Sequence, residues 1–308
     1  WMEKNKRVYE VLTKDTDWIE THKHGEDLCV FERRTIFQER LSVMHVPVVI
    51  IHTGNCSDYF LNCVRINAKY NDMIVVGDHE NREQIQLLQK SHDNIEFIDI
   101  NSLHSSMVDK FKQCFVNYSS NPPLFELSCI IRVFYLRQLL IQKKLNRIFY
   151  VDSDCVVLEN IPRLLARIEP KIELGISIYN NPSKPLDMMC SMHNSILNFQ
   201  LCDEFMRLCM DIYQNRSKFH LLKDKLEAHK RGETTGISDM TIWHLLCNST
   251  TLPITDMNSK FVLDDEICSF DHTLCIGYGF NGLDTYQLIK DDSVSPTRTK
   301  ALTQSMDG

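Results

Sequence analysis

From His45 onward the chain alternates two hydrophobic rhythms. Short unbroken apolar runs bounded by turn residues read as buried strands, and longer stretches with apolar positions three or four apart read as helices. "VPVVIIHTG" predicts a buried strand closing on a glycine turn. "SDYFLNCVRINAKY" predicts a helix capped at Ser57 or Asp58, with Phe60, Val64 and Tyr70 at helical spacing. "NDMIVVGDH", "NREQIQLLQKSH" and "NIEFIDI" then predict strand, helix and strand. The stretch "PPLFELSCIIRVFYLRQLLIQKK" predicts a long helix with prolines near its first turn and lysines at its end. Apolar residues cover most of its circumference, so it is expected to be largely buried, with Arg132 as a charge in mid-run. It feeds "NRIFYVDSDCVVL", a buried strand with Asp152 and Asp154 at its carboxyl end.

Strands alternating with helices imply right-handed crossovers, hence an α/β fold with a Rossmann-like, mainly parallel central sheet flanked by helices. Ligands of such sheets bind beyond the carboxyl ends of the strands. That edge carries His52, Thr53 and Gly54 after the first strand, Asp78 and His79 after the second, and the aspartate pair. Before His45 the rhythm is absent: Lys4, Lys6, Arg7, Glu32, Arg33, Arg34 and Arg40 dominate, with Trp18 and Phe31 as apolar anchors. The expected organisation is a charged extension over 1–44, one α/β domain over 45–290 and a tail over 291–308.

Composition narrows the classes. With 308 residues, 43% hydrophobic and 24% charged, the chain can bury a substantial core as a soluble globular protein. A net charge of -7 gives no broad attraction for polyphosphate, so nucleic acid is not an expected partner. No apolar run is long enough to cross a bilayer, and "WMEKNKR" does not read as a signal peptide. The twelve cysteines form no C-x-x-C pair and sit mostly in apolar segments, which points to buried reduced thiols and a cytoplasmic or other reducing compartment. Asn-X-Ser/Thr triplets at Asn55, Asn117, Asn215 and Asn248 pull the other way, towards the lumenal domain of a truncated, membrane-anchored enzyme.

The candidate chemistry starts from strand geometry. Residues two apart in a strand face the same way, so Asp152 and Asp154 are expected side by side, an arrangement that calls for water or a cation between them. Oxygen ligands at the ligand edge suit a hard divalent ion, Mn²⁺ or Mg²⁺; a solvated strand-end turn is the plainer reading. Arg132, in an apolar helix, needs an anion, either a bound diphosphate or Glu126 on its own helix. "HTGN" offers backbone donors to a base or ribose, or simply closes a turn. G-x-G-x-x-G and G-x-x-x-x-G-K-[ST] are both absent, which disfavours dinucleotide-dependent oxidoreductases and P-loop enzymes.

"RIFYVDSDCVVLENI" resembles the D-x-D segment of nucleotide-sugar glycosyltransferases with the GT-A fold, the family 8/32-like group. The resemblance spans roughly His45 to Phe280. It implies transfer of a hexosyl or pentosyl group from a nucleoside diphosphate sugar, a UDP-sugar above all, to a hydroxyl of a glycan or glycoconjugate acceptor. It implies that Asp152 and Asp154 hold the divalent ion against the donor diphosphate, with Ser153 between them at the donor. His52, Thr53, Gly54 and Asp78 become donor-binding candidates, and "ELSCIIRVFYLRQLL" puts Arg132 where the family's arginine faces the donor. "MHNSILNFQ" implies Asn194 near the donor sugar. "GISDMTIWHLL" implies Asp239 near the reacting sugar and as the base of an inverting reaction, although Met240 stands where many relatives have Gln. "FDHTLCIGYGF" implies His272 as a third metal ligand. The competing classes are a metal-dependent nucleotidyltransferase or phosphohydrolase, and a non-catalytic nucleotide-sugar-binding module.

Overall fold

The computed structural model describes residues 45–157, 159–179, 183–263, 266–270, 299–301 and 303–305. The charged stretch 1–44 and His272 lie outside them. The chain runs β1 (Val48–Ile51), α1 (Asp58–Ala68), β2 (Met73–Gly77), α2 (Arg82–Gln89), β3 (Ile95–Asp99), α3 (Ser106–Cys114), β4 (Tyr118–Ser119) and α4 (Pro123–Lys143). It continues with β5 (Ile148–Val151), β6 (Cys155–Val157), α5 (Ile161–Arg167), β7 (Leu174–Tyr179), β8 (Met189–Leu197), α6 (Phe199–Tyr213) and α7 (Lys223–Lys230). Then come β9 (Gly236–Ile237), α8 (Asp239–Cys247), β10 (Ile254–Asp256), β11 (Phe261–Leu263), β12 (Glu266–Ser269), β13 (Thr299–Ala301) and β14 (Thr303–Ser305).

Seven strands make the central sheet in the order β10-β7-β8-β5-β1-β2-β3. Every adjacent pair is parallel except those that β8 makes with β5 and β7. The mainly parallel α/β sheet is therefore the one that the alternation predicts, with one reversal. Its cause is the connection: the described residues between β7 and β8 form no helix, and a parallel return needs a crossover.

Both faces are covered at the centre of the sheet, which is why β1, β2 and β5 are continuously apolar. Val49, Ile74, Val76, Ile148 and Tyr150 join the layer built on α4, α6 and α8. Their sequence neighbours Val48, Ile50, Met73, Val75, Phe149 and Val151 join the layer of α1 and α5. The helix α4 is buried from Ile130 to Leu140 on several sides, as its composition predicts, and stops at Lys144 in the left-handed region (φ 53°). Each fully buried side chain such as Phe134 contributes roughly 1.5–3 kcal/mol of transfer energy.

Two short pairings carry the site elements. β4 pairs antiparallel with β9, Tyr118 opposite Ile237 and Ser119 opposite Gly236. Gly236 has φ 88°, and a Cβ there would fall 2.2 Å from the Tyr118 carbonyl oxygen, so only glycine lets the two chains close. This ladder ties the approach to α4 to the approach to α8. β14, from the stretch expected as a tail, pairs with β6 directly after the aspartate turn.

Candidate active site

The strand pattern holds as far as Asp152. Ile148 and Tyr150 face the α4 layer, and Asp152 continues their side just beyond the end of β5. There the chain turns: the Asp152 N–H donates to the His193 carbonyl at 3.0 Å, and the Cys155 N–H donates back to the Asp152 carbonyl at 3.0 Å. Ser153 and Asp154 fill the turn, both half-buried. Strand alternation therefore ends at Asp152, and it is this turn, not the pleat of a strand, that brings Asp154 to the same sheet edge. Both aspartates add to the burial that raises the Cys155 thiol, and Asp154 also adds to the burial that pushes the Cys63 thiol up to about 12.

Arg132 joins the two expected acids. Its Nη1 donates to Asp152 Oδ1 at 2.7 Å and its Nη2 to Asp239 Oδ2 at 2.9 Å, spanning 107 residues of sequence. The Tyr150 hydroxyl donates to the same Asp152 oxygen at 2.9 Å, and the guanidinium lies 5.5 Å from the Tyr150 ring centre. Burial works against the Arg132 charge, yet Asp152, Tyr150 and Asp239 outweigh it and raise its pKa. Burial likewise raises Tyr150, with Arg132 opposing and Asp152 adding, so the phenol keeps the proton it donates. With Arg132 at 16%, Asp152 at 32% and Asp239 at 9% side-chain exposure, the trio is screened from water at one end and open at Asp152.

Asp239 opens α8, where the helix N-terminus favours a negative charge. Its Oδ1 accepts the Met240 N–H at 2.8 Å. The alternative partner for Arg132, Glu126, turns out to serve Asp239 instead: its Oε1 accepts the Asp239 N–H at 2.7 Å and its Oε2 the Asn121 side-chain amide at 3.0 Å. Burial pushes the Glu126 carboxyl up, Asn121 pulls it back and Asp239 adds to the rise. Glu126 as an Asp239 partner and Tyr150 went unread in the sequence. Tyr150 had a signal, its place two residues before Asp152 on one strand; Glu126 had only its rarity as an acid at the head of an apolar helix.

The residues beyond β1 and β2 come together as a hydrogen-bonded lattice without an ion pair among the named side chains. His52 stacks on Phe60 with ring centres 3.9 Å apart, and Gly54 (φ 88°) donates its N–H to Asp78 Oδ2 at 2.8 Å. Thr53 is exposed beside them. Asn81 is the organiser that the sequence did not announce: fully buried, it donates to the His52 carbonyl at 2.6 Å and accepts the Asp78 N–H at 3.1 Å. Gly77 makes its room, since a Cβ there would stand 2.1 Å from Asn81 Oδ1. Asn194 lies opposite Val151 on β8, buried, accepting from Ser177 Oγ at 2.9 Å and donating to the Phe270 carbonyl.

Asp152 and Asp154 offer the carboxylate oxygens that a hard divalent ion takes, and the opening at Asp152 suits an ion that keeps several waters. Among the described residues no group of three His, Cys, Asp or Glu side chains is placed to hold a metal. None of the ten described cysteines forms a disulfide, and no described helix is long and apolar enough to cross a membrane.

No family model and no curated protein matches the chain. Among solved structures it is similar to mouse xyloside xylosyltransferase 1, with 15% identity and a TM-score of 0.47 over 68% of this chain and 84% of that one. It is also similar to the galactosyltransferase LgtC in complex with donor and acceptor sugar analogs, with 15% identity and a TM-score of 0.43 over 85% and 87%. A cytidylyltransferase from Leptospira borgpetersenii follows at 9% identity and a TM-score of 0.33, over 62% and 74%.

Proposed function

We propose that the chain is a glycosyltransferase of the GT-A type that moves a sugar from a UDP-sugar to a hydroxyl of a glycan or glycoconjugate. The observation that carries this reading is the Arg132 bridge from Asp152 to Asp239 at the carboxyl edge of a mainly parallel sheet. The chemical difficulty of such a transfer is the charge that builds on the departing diphosphate as the anomeric carbon becomes oxocarbenium-like. A guanidinium already fixed by two carboxylates and stacked on Tyr150 is a preorganised partner for that charge. Asp152 and Asp154 are the residues that would hold Mn²⁺ or Mg²⁺, which when bound supplies Lewis-acid neutralisation of the diphosphate. Tyr150 fixes the Asp152 carboxylate by donating its proton to it.

Asp239 is the acceptor of a sugar hydroxyl in this reading and, in an inverting reaction, the base that takes the proton of the attacking hydroxyl. His52, Thr53, Gly54 and Asp78 form the floor for the nucleoside, Ser153 lies at the diphosphate, and Asn194 braces β8 beneath the donor sugar. His272 is the proposed third metal ligand.

The test is Asp152→Asn and Asp154→Asn, each checked by circular dichroism for an unchanged fold. Both are expected to abolish transfer from a labelled UDP-sugar, and near-wild-type turnover in either sinks the assignment. Product analysis separates the classes: UDP plus a glycosylated acceptor supports the reading, whereas pyrophosphate or phosphate release supports a nucleotidyltransferase or phosphohydrolase.

A further inference from the structure

Among the described residues Glu126 makes no ion pair. It is 1% exposed, and its two oxygens are taken by the Asn121 amide and the Asp239 N–H. Arg132, the cation of the cluster, turns its donors to Asp152 and Asp239. Burying a carboxylate without a counter-ion is expensive, and a short neutral side chain such as Asn or Ser usually satisfies a helix N-terminus locally. Here Ser238 and Thr241 form a local capping box, and the N–H of the first residue of α8 is met in addition by an acid 113 residues away, on α4. The same α4 carries Arg132, which meets the side chain of that same Asp239. Asp239 is thus held from one helix at two points, its backbone by Glu126 and its carboxylate by Arg132. One contact alone leaves the residue free to pivot; two fix both where it stands and which way its carboxylate faces.

We infer that Glu126 is the positioning residue of Asp239, fixing the first turn of α8 so that the Asp239 carboxylate faces Arg132 and the reacting sugar. Its effect on turnover rests on the glycosyltransferase reading; its effect on α8 does not.

The experiment therefore has two readouts on the full chain, with Glu126→Ala, Glu126→Gln and Glu126→Asp. Backbone amide exchange at Asp239 and Met240, measured without ligand, is expected to rise about tenfold in Glu126→Ala, the loss of one hydrogen bond. Glu126→Gln, whose amide oxygen still accepts the N–H, is expected to stay close to wild type. Glu126→Asp keeps the charge but falls one methylene short, and is expected to exchange like the alanine variant. If Glu126→Ala does not fold, the order of the other two decides: Gln intact and Asp impaired supports positioning, and the reverse order overturns it. Unchanged exchange in Glu126→Ala overturns it as well. In transfer assays Glu126→Ala is expected to lower kcat about tenfold with the donor KM little changed, and Glu126→Gln to restore most of it. A wild-type chain that transfers sugar from no donor removes the glycosyltransferase reading, while the exchange data still decide the role of Glu126.

Discussion

Beyond β1 and β2 the sheet edge is fastened by neutral groups: Asn81 laces the His52 carbonyl to the Asp78 N–H, and Gly77 gives it room. Beyond β5 the same edge is fastened by charge, with Arg132 shared between Asp152 and Asp239 and the uncharged Tyr150 hydroxyl in support. Amide-to-backbone bonds are short-ranged and specific to one geometry, so the neutral side is a frame. Ion pairs can exchange partners when another charge arrives, so the charged side can respond to a ligand. The difference teaches that the two halves of one edge are held by different forces, and in the proposed reaction it is the charged half that would meet the diphosphate.

The comparison can be broken most forcefully at Arg132. Replacing it, Arg132→Met, leaves the Asp152 and Asp239 carboxylates without their guanidinium and is expected to cost about 3–5 kcal/mol in urea unfolding, besides abolishing transfer. A loss under about 1 kcal/mol would mean that the charges do not hold that side together. On the other side Asn81→Ala removes the partner of a half-buried carbonyl and a half-buried N–H, at an expected cost of about 1–3 kcal/mol. That cost should be equal at low and high salt; a strong salt dependence would erase the distinction. Gly77→Ala, which drives a methyl group into Asn81, should cost about 1–3 kcal/mol and resist salt in the same way.

The smallest effect is a slope. Lys225 of α7, 2% exposed, donates to the Asp187 carbonyl, and burial lowers it from 10.5 to about 8 while Asp187 opposes. The unfolded chain then binds that proton more tightly, so stability rises with pH between about 8 and 10.5. Lys225→Met should flatten the rise in unfolding curves taken across that window. A slope that persists in the variant would deny Lys225 its part and leave α7 with the neutral frame.

Much of the frame was legible because its causes are local. The apolar runs of β1, β2, β3 and β5, and the apolar girth of α4, need no knowledge of distant chain to be read. Asp152 was placed correctly at a strand end for that reason. Asp154 lies at the same edge, but the turn that carries it there depends on a hydrogen bond from Cys155 rather than on periodicity. The reversal of β8 was hidden in a connection whose described residues form no helix. Arg132 could be seen to need an anion, but not that Asp239, 107 residues on, would be one of two. Glu126 and Asn81 carry no motif, since each matters through a backbone group it meets far away in sequence or just across a turn.

The ladder of Tyr118 and Ser119 against Gly236 and Ile237 has a practical side for anyone hoping to alter what the molecule accepts. It is a clasp of two residues on each chain, and it holds the mouths of α4 and α8 at a set separation. Lengthening the strap between that clasp and Pro123 would be the way to loosen the two helix starts from each other while leaving the sheet beneath untouched.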